Sequence, residues 1–290
     1  MITSDQKPVN FITIDLEEWF MANYNGVDFK KYSNLGSRID YQIDTLLGLF
    51  ERNQVKTTFF VVGEFARKYP AMIKEIYRKG HEIASHSFSH ELIYNLTPKQ
   101  FREDLRSSMD VLQYLTGSPV LGFRAPSWSV KADTLPWFYE ILEAEGIQYS
   151  SSVFPAKTFL YGIDGFPQHI HRPVIEGQRV KIIEIPQPLF GLGKYRFGFA
   201  GGFYLRALPY FFIKLCISAH NRKGNPVFLY LHPREIDPKE RRLELGMKEG
   251  TIHYFGVGSC LQKFTRLIEN GEYRFQRMDE HVKQLAMSDE

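Results

Sequence analysis

The stretch "HEIASHSFSH", residues 81 to 90, holds three of the nine histidines in the chain. His86 and His90 stand four apart, with Ser87 directly after the first. That spacing sets two imidazoles side by side, on one turn of helix or across a tight loop, where both reach one cation. Spacing alone is thin evidence, because a pair four apart arises readily by chance. Other polar or ionisable residues close short apolar runs: Asp15 and Glu17 follow "FITI", Arg124 ends "LGFR", Ser150 ends "IQY" and His232 ends "VFLYL". A second pair with ligand spacing, His169 and His171 in "HIH", reads as a strand or turn feature.

Those residues need elements to hold them. Short β-branched and aromatic runs alternate with helical patterns, the mark of successive βα units. The strand candidates are 10–14, 56–62, the "EIA" before His86, 120–124, 147–152, 180–186 and 226–232. Between them lie helix-like stretches at 41–53, 134–146 and 208–221, and a longer one after residue 63 that Pro70 divides and Gly80 ends. In "LTPKQFREDLRSSMDVLQYLTG", Thr97 stands as N-cap, Pro98 in the first turn and Gln100 in the capping-box place. The expected fold is α/β: a distorted (β/α) barrel of about seven parallel strands in a single domain. Residues 8–240 would form the barrel and 241–290 a C-terminal extension packed on it. Catalytic groups in such barrels gather at the C-terminal ends of the strands, where all five runs above place theirs.

The net charge of +3 comes from Lys and Arg scattered among acids, which argues against a nucleic-acid partner. No run reaches transmembrane length; "LRALPYFFIKLCISA" is interrupted by Arg206, Pro209 and Lys214, and reads as a core helix before a peripheral membrane contact. The start "MITSDQKPVNFITIDL" lacks the basic and apolar regions of a secretory leader. The cytoplasm, at the inner face of the membrane if the peripheral contact forms, is the expected location. Cys216 and Cys260 are far apart and need no disulfide there.

Taken in order, "TIDLEEWF", "HSFSH", "FRAPSWS" and "YLHPREID" resemble the blocks of the polysaccharide deacetylases, carbohydrate esterase family four. The later "GGFYLRALPYF", "HPREIDP" and "GTIHYFGVGSCLQKFTRLI" are similar to a branch with an added C-terminal segment, associated with exopolysaccharide synthesis. The resemblance implies a divalent cation, zinc in most members, held by one carboxylate and by His86 and His90, with coordination positions left open for water and the acetyl oxygen. It implies Asp15 as base and Glu17 as the carboxylate ligand, with Glu18 as fallback. Arg124 would orient Asp15 and keep it ionised, and His232 would be the acid that protonates the departing amine. Pro126 and Trp128 would form one wall of the sugar groove. His81, ahead of the block, is expected to be a hydrogen-bonded core or loop histidine.

The chain departs from the family pattern twice. Leu16 separates acids that are adjacent in most members, and Ser150 in "YSSSVFP" stands where relatives carry an aspartate paired with the arginine. Ser150 is therefore expected near the substrate, with Arg124 held by a hydroxyl or by another acid. The implied activity is removal of N-acetyl groups from an acetamido sugar or oligosaccharide, free or carrier-linked, during polysaccharide synthesis. A barrel that binds carbohydrate with impaired turnover, and an amidohydrolase for a small non-sugar amide, are the alternatives.

Overall fold

The computed structural model describes residues 7–24, 26–158, 161–192 and 195–288. Residues 1–6, on which part of the leader reading rests, lie outside the described residues. Seven strands form one parallel sheet: β1 (Val9–Leu16), β2 (Thr58–Val61), β3 (Glu82–Ser85), β4 (Gly122–Phe123), β5 (Tyr149–Ser150), β6 (Ile183–Glu184) and β7 (Phe228–Leu231). Their order is β7-β1-β2-β3-β4-β5-β6, so the sheet curls into a barrel left open between β6 and β7. β1 lies between β7 and β2 and is buried along nearly its whole length, as a parallel strand covered on both faces must be. The strands 120–124 and 147–152 of the sequence reading shrink to two residues each, because the chain turns to build the rim.

Period-two alternation divides the core. On β2 and β3, Phe59 and Ile83 join a layer beneath the outer helices, while Phe60 and Ala84 point into the barrel with Phe11, Tyr149, Ile183 and Phe228. The barrel is thus filled by packed aromatic rings. The helix Ile39–Arg52 buries Ile39, Ile43, Leu46, Leu47 and Phe50 against it. Pro70 separates the helices Gly63–Lys68 and Pro70–Arg78, and Gly80 follows at φ +84°, a left-handed turn that a side chain would strain. The helix Pro98–Thr116 carries the full capping box of Thr97 and Gln100 and ends at left-handed Gly117.

The C-terminal segment is woven into this frame. The strand Arg274–Gln276 pairs in parallel with Val9–Phe11, on the edge of β1 that β2 occupies further along. The helix Val257–Glu269 packs its buried Cys260, Phe264 and Leu267 inward. Among the described residues no helix is long and apolar enough to cross a membrane. The stretch read as a core helix is two helices, Gly202–Ala207 and Tyr210–Asn221; the second buries Ile213, Cys216 and Ile217 and exposes Phe211 and Leu215.

Candidate active site

Asp15 and Glu17 leave the end of β1 on the same side, while Leu16 between them is fully buried in the apolar layer under the helices. The link from His86 to His90 is a tight loop, with Ser87 at φ +65° and His90 at φ +59°. Two groups fix this loop. Asp104, on the helix Pro98–Thr116, accepts from the backbone N–H of Phe88 (2.7 Å) and Ser89 (3.0 Å). Gly63 lies so close that a Cβ there would stand 2.4 Å from the Phe88 ring.

The loop and the strand end bring Glu17, His86 and His90 together, with one ligand atom of each within 4.8 Å of the others. Glu17 Oε2 is 2.7 Å from His90 Nε2 and 3.8 Å from His86 Nε2. No well-aligned hydrogen bond reaches this buried oxygen, whose near neighbours are the two imidazole nitrogens. His86 Nδ1 is 2.8 Å from the Arg124 carbonyl oxygen, which leaves its Nε2 for the cluster. Burial pushes the His86 imidazole down to about 4, so it is neutral as a ligand must be. Burial pushes the Glu17 carboxyl up, but His90, His232 and Arg234 outweigh it and hold the group well below the ordinary range. One carboxylate and two imidazoles, all buried, with one oxygen between the nitrogens, fit a divalent cation of the zinc type. Glu18 takes no part: its Oε1 accepts from Lys68 Nζ at 2.5 Å and from the Tyr69 hydroxyl at 3.0 Å.

Arg124 is sealed inside the barrel mouth, about 1% exposed, with its guanidinium 4.0 Å from the centre of the Phe60 ring and 4.9 Å from that of Phe228. Nη1 donates to Asp15 Oδ1 (2.6 Å) and Thr13 Oγ1 (2.9 Å), and Nη2 donates to Ser151 Oγ (3.1 Å). The second oxygen of Asp15, Oδ2, lies 4.0 Å from His232 Nε2. His232 Nδ1 is 3.2 Å from Glu235 Oε2, and Glu235 is bound in turn by Arg206 Nε at 2.8 Å. With Nδ1–H donating to that carboxylate, Nε2 is the atom turned toward Asp15 and Glu17. Burial pushes the Glu235 carboxyl up, but Arg206, His232 and Arg234 override it and keep it ionised.

These groups line one cavity of about 420 Å³, of the size that receives a small ligand. Trp128 is on its wall, with Tyr24, Tyr94, Tyr161 and Tyr230. Ile252 and His253 reach it from the C-terminal segment.

Two residues expected at the substrate are not on the wall. Pro126 is buried at the start of a 3-10 turn, Pro126–Trp128, and its neighbours Ala125 and Ser127 face the cavity instead. Ser150 is fully buried, with its hydroxyl on Ser152 Oγ at 2.8 Å and on the Glu184 carboxylate. The reason is alternation: Tyr149 and Ser151 point into the barrel, so Ser150 between them points outward, away from Arg124. Glu184 accepts from the backbone N–H of Ser152 (2.8 Å) and Val153 (3.0 Å) and from the Tyr139 hydroxyl. It therefore braces the loop whose Ser151 holds Arg124. His169 and His171 stay apart from the site, joined by a bond from the His171 ring to the His169 carbonyl. His81 is buried, with Nδ1 on the Thr57 N–H and hydroxyl.

Asp104, Ser151, Glu184, Arg206, Arg234 and Glu235 escaped the sequence reading. Only Arg234 and Glu235 had a signal there, inside "HPREID", where Glu235 stands three after His232 and caps it.

Residues 41–147 match the family model described as Polysaccharide deacetylase, and residues 151–283 match one described as a domain of unknown function, DUF3473. Among curated proteins the chain is 29% identical over 157 residues to a peptidoglycan deacetylase-like protein of Gibberella zeae, a match covering 50% of this chain and 45% of that one. It is 26% identical over 187 residues to the peptidoglycan deacetylase of Helicobacter pylori, covering 60% and 62%. A peptidoglycan-N-acetylglucosamine deacetylase of Bacillus cereus is 30% identical over 121 residues, covering 42% and 44%. The chain thus spans about half the length of the curated relatives it matches. A crystal structure from Mycobacterium smegmatis classed with the polysaccharide deacetylases superposes with a TM-score of 0.61 at 17% identity, covering 98% of this chain and 92% of that one, which shows the shared fold. The polysaccharide deacetylase model thus matches the part of this chain that holds "HSFSH" and "FRAPSWS", and the DUF3473 model matches the part that follows it, with "YLHPREID".

Proposed function

We propose that this chain is a metal-dependent deacetylase that hydrolyses the N-acetyl group of an acetamido sugar. The observation that carries the reading is the buried cluster of Glu17 Oε2, His86 Nε2 and His90 Nε2, facing Asp15 and His232 across one cavity. Glu17, His86 and His90 would hold the cation, zinc by their chemistry, which when bound polarises the acetyl carbonyl and acidifies a water. Asp15, fixed through Oδ1 by Arg124, has Oδ2 free to take the proton of the attacking water. His232, fixed through Nδ1 by Glu235, turns Nε2 to the cavity and protonates the departing amine. The aromatic walls supply faces for a pyranose ring. Ser150, whose identity favoured an impaired, merely binding barrel, lies outside this machinery, so the impaired reading loses its main support. We assign the activity to polysaccharide synthesis, on a free or carrier-linked sugar in the cytoplasm, with residues 8–240 as the barrel and 241–290 as its extension.

The test is acetate release by zinc-reconstituted protein from nucleotide-linked, lipid-linked and oligomeric N-acetylhexosamines. Release from at least one class, lost in His232→Ala, is the expected result. Stoichiometric zinc with no acetate from any class would overturn the reading.

A further inference from the structure

The cavity contains three guanidiniums, and they are not equivalent. Arg124 has its donors on Asp15, Thr13 and Ser151. Arg206 has its donors on Glu235 and on the carbonyls of Ile252 and Phe255. Arg234 is bound only through Nη1, to Glu17 Oε1 at 2.5 Å. Its Nε and Nη2 have no acceptor among the described residues, yet they are not among the buried atoms left without a partner, so they stay open. The side chain is 15% exposed and lines the cavity beside His232. Glu17 thus pins one arm of a planar fork whose other nitrogens stay open, on a side chain that lines this cavity and a smaller one beside Asp237 and Tyr254, with little ordering left to do on binding.

Charge points the same way. Three carboxylates of the cavity, Asp15, Glu17 and Glu235, balance the three guanidiniums. A divalent cation on Glu17, His86 and His90 then leaves a surplus of two positive charges in a poorly solvated site, which a neutral sugar does not offset.

We propose that Arg234 receives an anionic substituent of the substrate, a carboxylate or a phosphate, so that the preferred substrate is an N-acetyl sugar negatively charged near its acetamide. This deepens the deacetylase reading and rests on it for the acetamide.

The test is titration calorimetry with N-acetylglucosamine, N-acetylglucosamine 1-phosphate and an N-acetylhexosaminuronic acid, on zinc-loaded wild type, Arg234→Gln and Arg234→Lys. Zinc content and thermal midpoint are measured for each. Wild type should bind at least one anionic ligand roughly ten- to hundredfold more tightly than the neutral one, the scale of charge-assisted hydrogen bonds. The phosphate and uronate arms separate the two sources of charge. Arg234→Gln should bring the ratio to within about twofold, and Arg234→Lys, which keeps charge without the fork, should fall between. Equal affinities in wild type overturn the proposal whether or not the variants fold. So does a preference that survives in Arg234→Gln, which would assign the anion to the cation. Binding is read without turnover, so an Arg234-dependent preference in a protein that releases no acetate would sink the deacetylase reading alone. Acetate release without a preference would sink this proposal alone.

Discussion

Ser150→Asp restores the acid that the family pattern places in "YSSSVFP", and the structure expects it to do harm. Position 150 is fully buried and within hydrogen-bond reach of the Glu184 carboxylate. Burial already raises the Glu184 carboxyl, against the hydrogen bonds that lower it. Two carboxylates about 4 Å apart at an effective dielectric constant near 20 repel by roughly 4 kcal/mol, relieved only by protonating one of them. At ~2–4 °C per kcal/mol for a domain of this size, the thermal midpoint should fall by about 8–16 °C. Calorimetry on the apo and zinc-loaded variant measures this. The added Glu184→Gln change should recover most of the loss, since it removes the like charge. An unchanged or raised midpoint, or faster acetate release, would put residue 150 beside Arg124 and refute the assignment of Ser151 as its partner.

Asp15→Asn should keep stoichiometric zinc and lose roughly two to four orders of magnitude in kcat, the scale of a general base, whereas Glu17→Gln should lose zinc first; the reverse pattern by metal analysis would exchange the two roles. Glu82, at the other end of the barrel, accepts from the hydroxyls of Thr58 and Tyr149 and the N–H of Asp279, and burial raises it to about 7. The folded chain therefore holds a proton that the unfolded chain releases above about 4.5, and this group's contribution falls as pH rises from about 4.5 to 7. His81, pushed by burial down to about 4, works oppositely between about 4 and 6.5. Urea unfolding of wild type against Glu82→Gln isolates the first effect: the variant should gain relative stability across that window, and a flat difference would contradict the burial argument.

The sequence showed the parts of the fold that local rules write. Thr97, Pro98 and Gln100 announce a helix start by capping chemistry, and Pro70 and Gly80 punctuate as their backbones require. The site was legible where ionisable residues end apolar runs, as at Asp15, His86 and His232. Ser150 was misplaced because a two-residue strand is too short to show which way its side chains alternate, and only the position of Arg124 in space identifies Ser151 as the inward residue. Glu184 and Arg206 act on residues more than twenty positions away, through bonds that no local pattern encodes. The strand Arg274–Gln276 carries no apolar alternation, since it is short and fills half an edge.

β1 has a consequence for how the molecule is made. The strand that bears Asp15, with Glu17 just past its end, is synthesised well before two of its partners: β7 completes one of its edges and Arg274–Gln276 completes the start of the other. Until those late segments emerge, β1 offers open backbone donors and acceptors on an apolar ribbon, a template for pairing with the wrong chain. Closure of the sheet around β1 thus waits on segments far later in the chain, and such distant pairing is slow. A chain truncated before residue 274 would lack that pairing and persist as a sticky intermediate, a substrate for chaperones and proteases.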